Sequence, residues 1–222
     1  MSAWLSYSLS DFMMFSKDTY FRLFELHNVA LWPAQLAVLA GAIAIVVLTR
    51  RGGPWAGRLT SMIFAAAWLG CAWAFHLERY AQVHLAAPLF AATFGSQALV
   101  LVWLGVVRGR LAIGGSGPER MIGWLGLAAA FVGYPLLAPL SGRPLLQAEL
   151  VGLAPDPTAA AAFALALLAK RSPWVLLVIP TAWSAVSAAT LWTLDARGQA
   201  LVLPLIAVSA LAAACRRRTE PL

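Results

Sequence analysis

The sequence predicts an all-α integral membrane protein. Seven transmembrane helices are expected, with the N-terminus outside, the C-terminus cytoplasmic, the fifth helix discontinuous and an amphipathic interfacial helix in front. Three observations carry this. The 222-residue chain is 61% hydrophobic and 11% charged, where soluble domains carry roughly 25% charged residues. Its apolar runs, except the fifth, come close to the ~20 residues that a bilayer core requires. Its basic residues gather at the ends of alternate runs, as those of cytoplasmic loops do.

Residues 1–27 form the interfacial segment. Asp18, Arg22 and Glu25, with Asp11 before them, recur on one helical stripe, while Phe12, Met13, Phe15, Phe24 and Leu26 fall largely elsewhere. Asp18 with Arg22, and Arg22 with Glu25, stand at spacings that pair locally on a helix. Met1 to Ser10 holds no Lys or Arg, so a cleaved signal peptide is not expected.

The membrane domain covers residues 28–214. Its first span, 28–48, closes on Arg50-Arg51, and Gly52-Gly53-Pro54 turns the chain into the second, 59–75. The third, 85–107, closes on Arg108 and Arg110, and a Gly-rich loop leads to the fourth, 121–140. The sixth is 174–191 and the seventh 200–214, followed by the basic tail 215–222 with Arg216, Arg217 and Arg218. Cys71 lies inside an apolar run and Cys215 beside the terminal arginines, so no disulfide framework is expected.

The fifth run is short. Between Pro157 and Lys170 there is room for about 18 Å of helix, against ~30 Å of hydrocarbon. The preceding 145–153 is apolar enough to complete a crossing, but Pro155-Asp156-Pro157 interrupts it. Asp156 suits an N-cap and Pro157 the first helical position. A half-helix starting at Thr158 would present open N–H groups and a positive dipole end inside the membrane.

Charge orients the chain. Of the 16 basic residues, 11 fall in loops on one side, and Lys17, Arg22, Arg79, Arg143 and Arg197 fall on the other with seven of the nine acids. The basic residues are therefore orientation signals, and nucleic acid is excluded as a partner. The bilayer is the expected partner, with a small solute or ion and a homo-oligomer as further expectations. Trp residues cluster near span ends as interfacial anchors, with Trp68 and Trp183 deeper, as packing residues.

Certain residues form an ordered set: Asn28 and Trp32-Pro33-Ala34-Gln35, then His76, Phe94-Gly95 with Gln97, and Tyr134-Pro135. Gly152 with Pro155-Asp156-Pro157-Thr158, and Ile179-Pro180 with Trp183, complete it. From about Phe24 onward the chain resembles a family of bacterial integral membrane proteins catalogued only as a domain of unknown function, some members of which carry a permease label. The resemblance implies a multi-pass protein of the bacterial cytoplasmic (inner) membrane. In that family a Cys usually stands where this chain has Asp156, an Asn where it has His84, and a His near Arg143. A chemistry resting on that Cys would be lost or altered here.

The candidate site follows from depth. Counting ~1.5 Å per residue from the cytoplasmic end, Gln35 stands about 22 Å up, Asp156 about 21 Å, Ser184 about 20 Å and His76 about 27 Å. Polar groups at such depth are costly unless paired or facing water, which makes them functional candidates. Asn28 and Thr158, both in the ordered set, join them, so the substrate-binding candidates are Asn28, Gln35, His76, Asp156, Thr158 and Ser184. Hydroxyl and amide side chains inside spans also serve as interhelical glue, the plainer role for Gln97, Thr181 and Ser187. His76, Tyr80 and His84 would share one face of a continuous helix, making His76 and His84 the metal candidates.

No Schiff-base Lys stands in the last span, no His follows His84, and no Gly-x-Ser-x-Gly elbow or Walker loop is present. These absences disfavour an enzyme. The leading expectation is a small-solute permease or channel with its site in the outer half. A metal- or haem-binding redox component and an accessory subunit of a membrane complex are the alternatives. No particular cofactor follows from the residues.

Overall fold

The computed structural model describes residues 15–114, 117–170 and 174–219. Among these every regular element is a helix, and the connections are turns, irregular backbone and isolated bridges. Six helices are long and apolar enough to cross a membrane: α2 (Ala34–Arg51), α3 (Trp55–Gln82), α4 (Ala87–Val107), α5 (Pro118–Leu140), α7 (Val175–Thr193) and α8 (Arg197–Arg216). Before them lies α1 (Lys17–Ala30). Between α5 and α7 lies the shorter α6 (Pro155–Leu168). The fold is that of a multi-pass membrane protein.

α1 begins where Ser16 accepts the Thr19 N–H at 3.2 Å, an N-cap that satisfies one donor of the first turn. It runs to Ala30, past the expected boundary at residue 27, and ends at the Leu31–Pro33 turn. Asn28 therefore belongs to α1, not to the first span. Asp18 and Arg22 face out as the stripe predicts, while Tyr20, Phe21, Leu23, Phe24 and His27 are buried. These residues pack on Phe75, Tyr80, Ala154, Leu191 and Ala196, so α1 covers one end of the bundle as well as being amphipathic. Asp11, Phe12 and Met13 lie outside the described residues.

Every residue of α6 is buried. Its 14 residues give about 21 Å of helix, too short to cross, yet α3, α5, α7 and α8 surround it. Small residues make this possible. A Cβ on Gly123 of α5 would stand 2.9 Å from Leu168 Cγ and 3.1 Å from the Ala164 carbonyl, so α5 reaches α6 at backbone distance. Isolated bridges join Gly53, Ile113 and Ala169, bringing the ends of α2, α4 and α6 to one Arg-rich end of the bundle. α6 thus runs in the same direction as α2 and α4.

The fifth run differs from expectation in two ways. Residues 145–153 are not helical: a 3₁₀ turn at Leu145–Gln147 leads into irregular backbone with Gly152 at φ +86°. The helix also starts at Pro155, not Thr158, with Ala154 as N-cap and no side-chain cap. Pro155 and Pro157 have no N–H, so two donors that a first turn leaves open do not exist here. A helix can begin in an apolar interior at low cost when its first turn is built this way. Asp156 is not a cap, because its carboxylate is engaged elsewhere.

π-helical turns interrupt three spans, at Cys71–Leu77, Val102–Val107 and Ala129–Gly133. The first carries α3 beyond the expected end at Phe75, so His76 lies within the helix. After Leu77 the chain tightens into a 3₁₀ turn at Tyr80–Gln82, so 76–84 is not one continuous α-helix.

Candidate functional site

Asp156 is the centre of the buried polar groups. One carboxylate oxygen accepts the Trp183 indole N–H at 2.8 Å and the other the Ser187 hydroxyl at 2.6 Å. Trp183 and Ser187 stand one turn apart on α7 and so face α6 together. Sequence reading placed Trp183 with packing and Ser187 with glue, and chose Ser184 instead. The Ser184 hydroxyl donates to the Pro180 carbonyl of its own helix at 2.9 Å. The i, i+4 spacing of Trp183 and Ser187 opposite a buried acid was the signal available. It becomes visible only once α6 and α7 are known to pack.

Pro180 shapes α7 in a second way. Lacking an N–H, it leaves the Leu176 carbonyl without its helical donor, and Gln97 of α4 supplies one at 3.0 Å. Gln97 is thus interhelical glue.

His76 stands over this cluster, fully buried. Its ring meets Phe94 at 4.6 Å and Trp183 at 5.1 Å, with Phe90 and Tyr80 about it. Neither ring nitrogen has a hydrogen-bond partner among the described residues. Tyr80 stacks on His84 at 4.9 Å, and His84 Nδ1 accepts the Ala86 N–H at 3.1 Å. Burial holds His84 below the usual histidine range. Among the described residues no three His, Cys, Asp or Glu side chains come together as a metal site.

The other candidates serve backbone. Asn28 Nδ2 donates to the carbonyls of Leu146 at 2.8 Å and Ala148 at 2.9 Å. Thr158 Oγ1 accepts the Gly152 N–H and donates to the Ala154 carbonyl, both at 2.7 Å, with Cys71 Sγ 3.3 Å away. Gln35 Nε2 donates to the Asn28 carbonyl at 2.7 Å, tying α2 to α1. Irregular backbone at membrane depth must be satisfied by protein or by a watery cavity. Asn28 and Thr158 do this for the irregular segment entering α6. The structure therefore brings Asp156 and His76 together around Trp183, while Asn28 of α1, Gln35 of α2 and Thr158 of α6 each bond backbone nearby.

Outside the cluster, at the end covered by α1, opens a cavity of about 670 Å³ between α1, the 137–147 connection and residues 195–199. Four of the five basic residues on this side line it: Lys17, Arg22, Arg143 and Arg197. Arg143 lies flat on Phe21, 3.7 Å from the ring centroid, and its nearest carboxylate oxygen belongs to Glu149 at 3.8 Å. Glu149 in turn lies within electrostatic reach of Asp156. Sequence reading placed Arg143 with the outer charges and did not select it as a site residue.

A family model matches residues 17–221. The chain belongs to the family of unknown function DUF6064. The match covers the buried cluster, the covering helix and the cavity, so all three lie within the DUF6064 region. No curated protein and no solved structure matches this DUF6064 chain.

Proposed function

We propose that this DUF6064 protein is a small-solute permease or channel of the bacterial cytoplasmic membrane. It crosses the bilayer seven times, N-terminus outside, with the irregular segment and α6 together making the fifth crossing. The observation that carries the reading is the Asp156 carboxylate. It sits buried in the first turn of a central helix too short to cross, joined to a neighbouring span by two hydrogen bonds. Interrupted helices of this kind, meeting irregular backbone near the midplane, form substrate and ion sites in several transporters. A buried intramembrane carboxylate is a functional candidate by default. Asp156 and His76 face the solute path, Trp183 and Ser187 hold the carboxylate, and Asn28, Gln35, Thr158 and Ser184 keep the surrounding backbone in place.

Proteoliposomes tested with a panel of small organic solutes and monovalent ions decide it. Flux above that of protein-free vesicles, lost in Asp156→Asn with the fold retained, is the expected result. Absence of flux across the panel, together with stable co-purification of another membrane protein, would instead make the chain an accessory subunit.

A further inference from the structure

Three arginines converge at the arginine-rich end of the bundle, where α3 begins and α4 ends. Local structure places each of them. Arg58 stands three residues after Trp55 on α3, and its guanidinium carbon lies 5.5 Å from the centroid of that ring. Arg108 stands five residues after Trp103, a spacing that an α-helix sets on different faces. The π-helical turn at Val102–Val107 changes this. The Arg108 N–H donates to the Trp103 carbonyl at 2.9 Å, and the Arg108 guanidinium carbon lies 5.8 Å from the Trp103 ring centroid. Both are cation–π contacts.

Glycines bring the two pairs together. Gly57 of α3 leaves no room for a Cβ against the Leu111 carbonyl, and Gly105 of α4 leaves none against Ser61 Oγ. Gly109, at φ +59°, then turns the chain between Arg108 and Arg110. A Cβ on Gly109 would stand 3.4 Å from Arg58 Nη2. The Arg58 guanidinium therefore rests on a turn whose two flanking residues are both arginines. Arg108 and Arg110 are exposed and Arg58 is half-buried, while Trp55 and Trp103 are 71% and 57% exposed.

None of the three arginines pairs with a carboxylate among the described residues. Arg197, at the α1 end, is the contrast: it stacks on Trp192 at 5.6 Å and also pairs with Asp195 at 3.0 Å. Orienting a membrane protein requires only that basic residues lie in the right loops. Holding like charges together on one turn is repulsive unless an anion lies among them. Exposed tryptophans at span ends mark the level of lipid headgroups. Guanidinium groups bind phosphate oxygens through paired N–H donors, and basic pockets between spanning helices hold anionic headgroups.

We propose that Arg58, Arg108 and Arg110 form a binding site for the phosphate headgroup of an anionic phospholipid, with Trp55 and Trp103 beside its glycerol and upper acyl chains. The site lies apart from Asp156 and does not depend on the permease reading.

Native mass spectrometry of the full chain in detergent, titrated with phosphatidylglycerol or phosphatidylcholine, tests this. Phosphatidylglycerol should bind ten-fold or more tightly than phosphatidylcholine. Arg58→Gln with Arg108→Gln should abolish that preference. The matched pair Arg22→Gln with Arg197→Gln, which removes the same charge at the α1 end, should keep it. Should the first pair fail to fold, the exposed Arg110→Gln serves: it should weaken phosphatidylglycerol binding three-fold or more and leave phosphatidylcholine unchanged. Glycerol 3-phosphate at equal concentration should not displace the lipid; displacement would make this a site for soluble phosphates and overturn the proposal. Equal affinity for the two lipids would overturn it too. So would a preference that survives the arginine variants, or one lost equally in the matched pair, which would reduce it to net charge.

Discussion

Ser187 of α7 donates to Asp156 of α6 at 2.6 Å, and Trp183, one turn earlier, donates to the other oxygen of the same carboxylate. Removing the acid leaves two buried donors on α7 without an acceptor, at a cost of about 1–3 kcal/mol each. Asp156→Ala should therefore lower stability by about 2–5 kcal/mol. Asp156→Asn keeps one acceptor and should lose roughly half as much. Thermal unfolding in detergent measures both. If Asp156→Ala unfolds like the unmodified protein, the two hydrogen bonds do not hold α6 to α7.

The contact between α5 and α6 depends on the absence of a side chain at Gly123. Gly123→Ala should destabilise by about 1–3 kcal/mol, because the added carbon meets the Ala164 carbonyl and Leu168. Gly95→Ala in α4 is the control, since nothing lies within 4 Å of its added Cβ. Equal melting temperatures for the two variants would show that helix approach at Gly123 is not limiting.

His27 provides a pH dependence outside the spanning helices. Burial, with a smaller contribution from Arg79, lowers its pKa from 6.5 to about 4. The Leu153 backbone offsets part of this, although it closes no full hydrogen bond to the ring. Below pH 6.5 the unfolded chain takes up a proton that the native ring resists. Stability from this residue is therefore complete above about 6.5 and is lost as the pH falls toward 4, by up to about 3 kcal/mol. His27→Gln should flatten the decline in melting temperature between pH 7 and 4.5. An unchanged slope would show that the ring stays neutral or solvated in both states.

Orientation is tested by labelling. With both native cysteines replaced, a single Cys at Ser116 should react with a membrane-impermeant thiol reagent only after cells are opened. A Cys at Gly198 should react in intact cells. The reverse pattern would invert the orientation.

The six long apolar helices were legible in the sequence because apolar length is a local property. The first-span boundary was not. Asn28 continues the helical pattern of α1, and the break comes only at Leu31–Pro33, where a turn replaces the expected helix start. A short helix after the interruption was legible from Pro155 and Pro157. Its starting residue was misplaced because Asp156 has the chemistry of a cap, and only the neighbouring Trp183 and Ser187 show that its oxygens are used across helices. The cavity was not legible at all, since Arg143, Gln199 and α1 are distant in sequence and meet only when the bundle closes.

By itself, the sequence determined that this chain is a multi-pass helical membrane protein, where its apolar runs lie, and that polar groups recur far from the arginine-rich loops. Those conclusions depend on hydrophobicity, length and charge, which each segment carries alone. Tertiary structure decided which polar groups meet. Asp156 joins Trp183 and Ser187 rather than Ser184, Thr158 and Asn28 satisfy backbone, and α1 covers the end of the bundle. Hydrogen bonds have a reach of about 3 Å, so a pattern that places residues only by depth and helical face cannot say which of two serines on one helix will reach an acid on another.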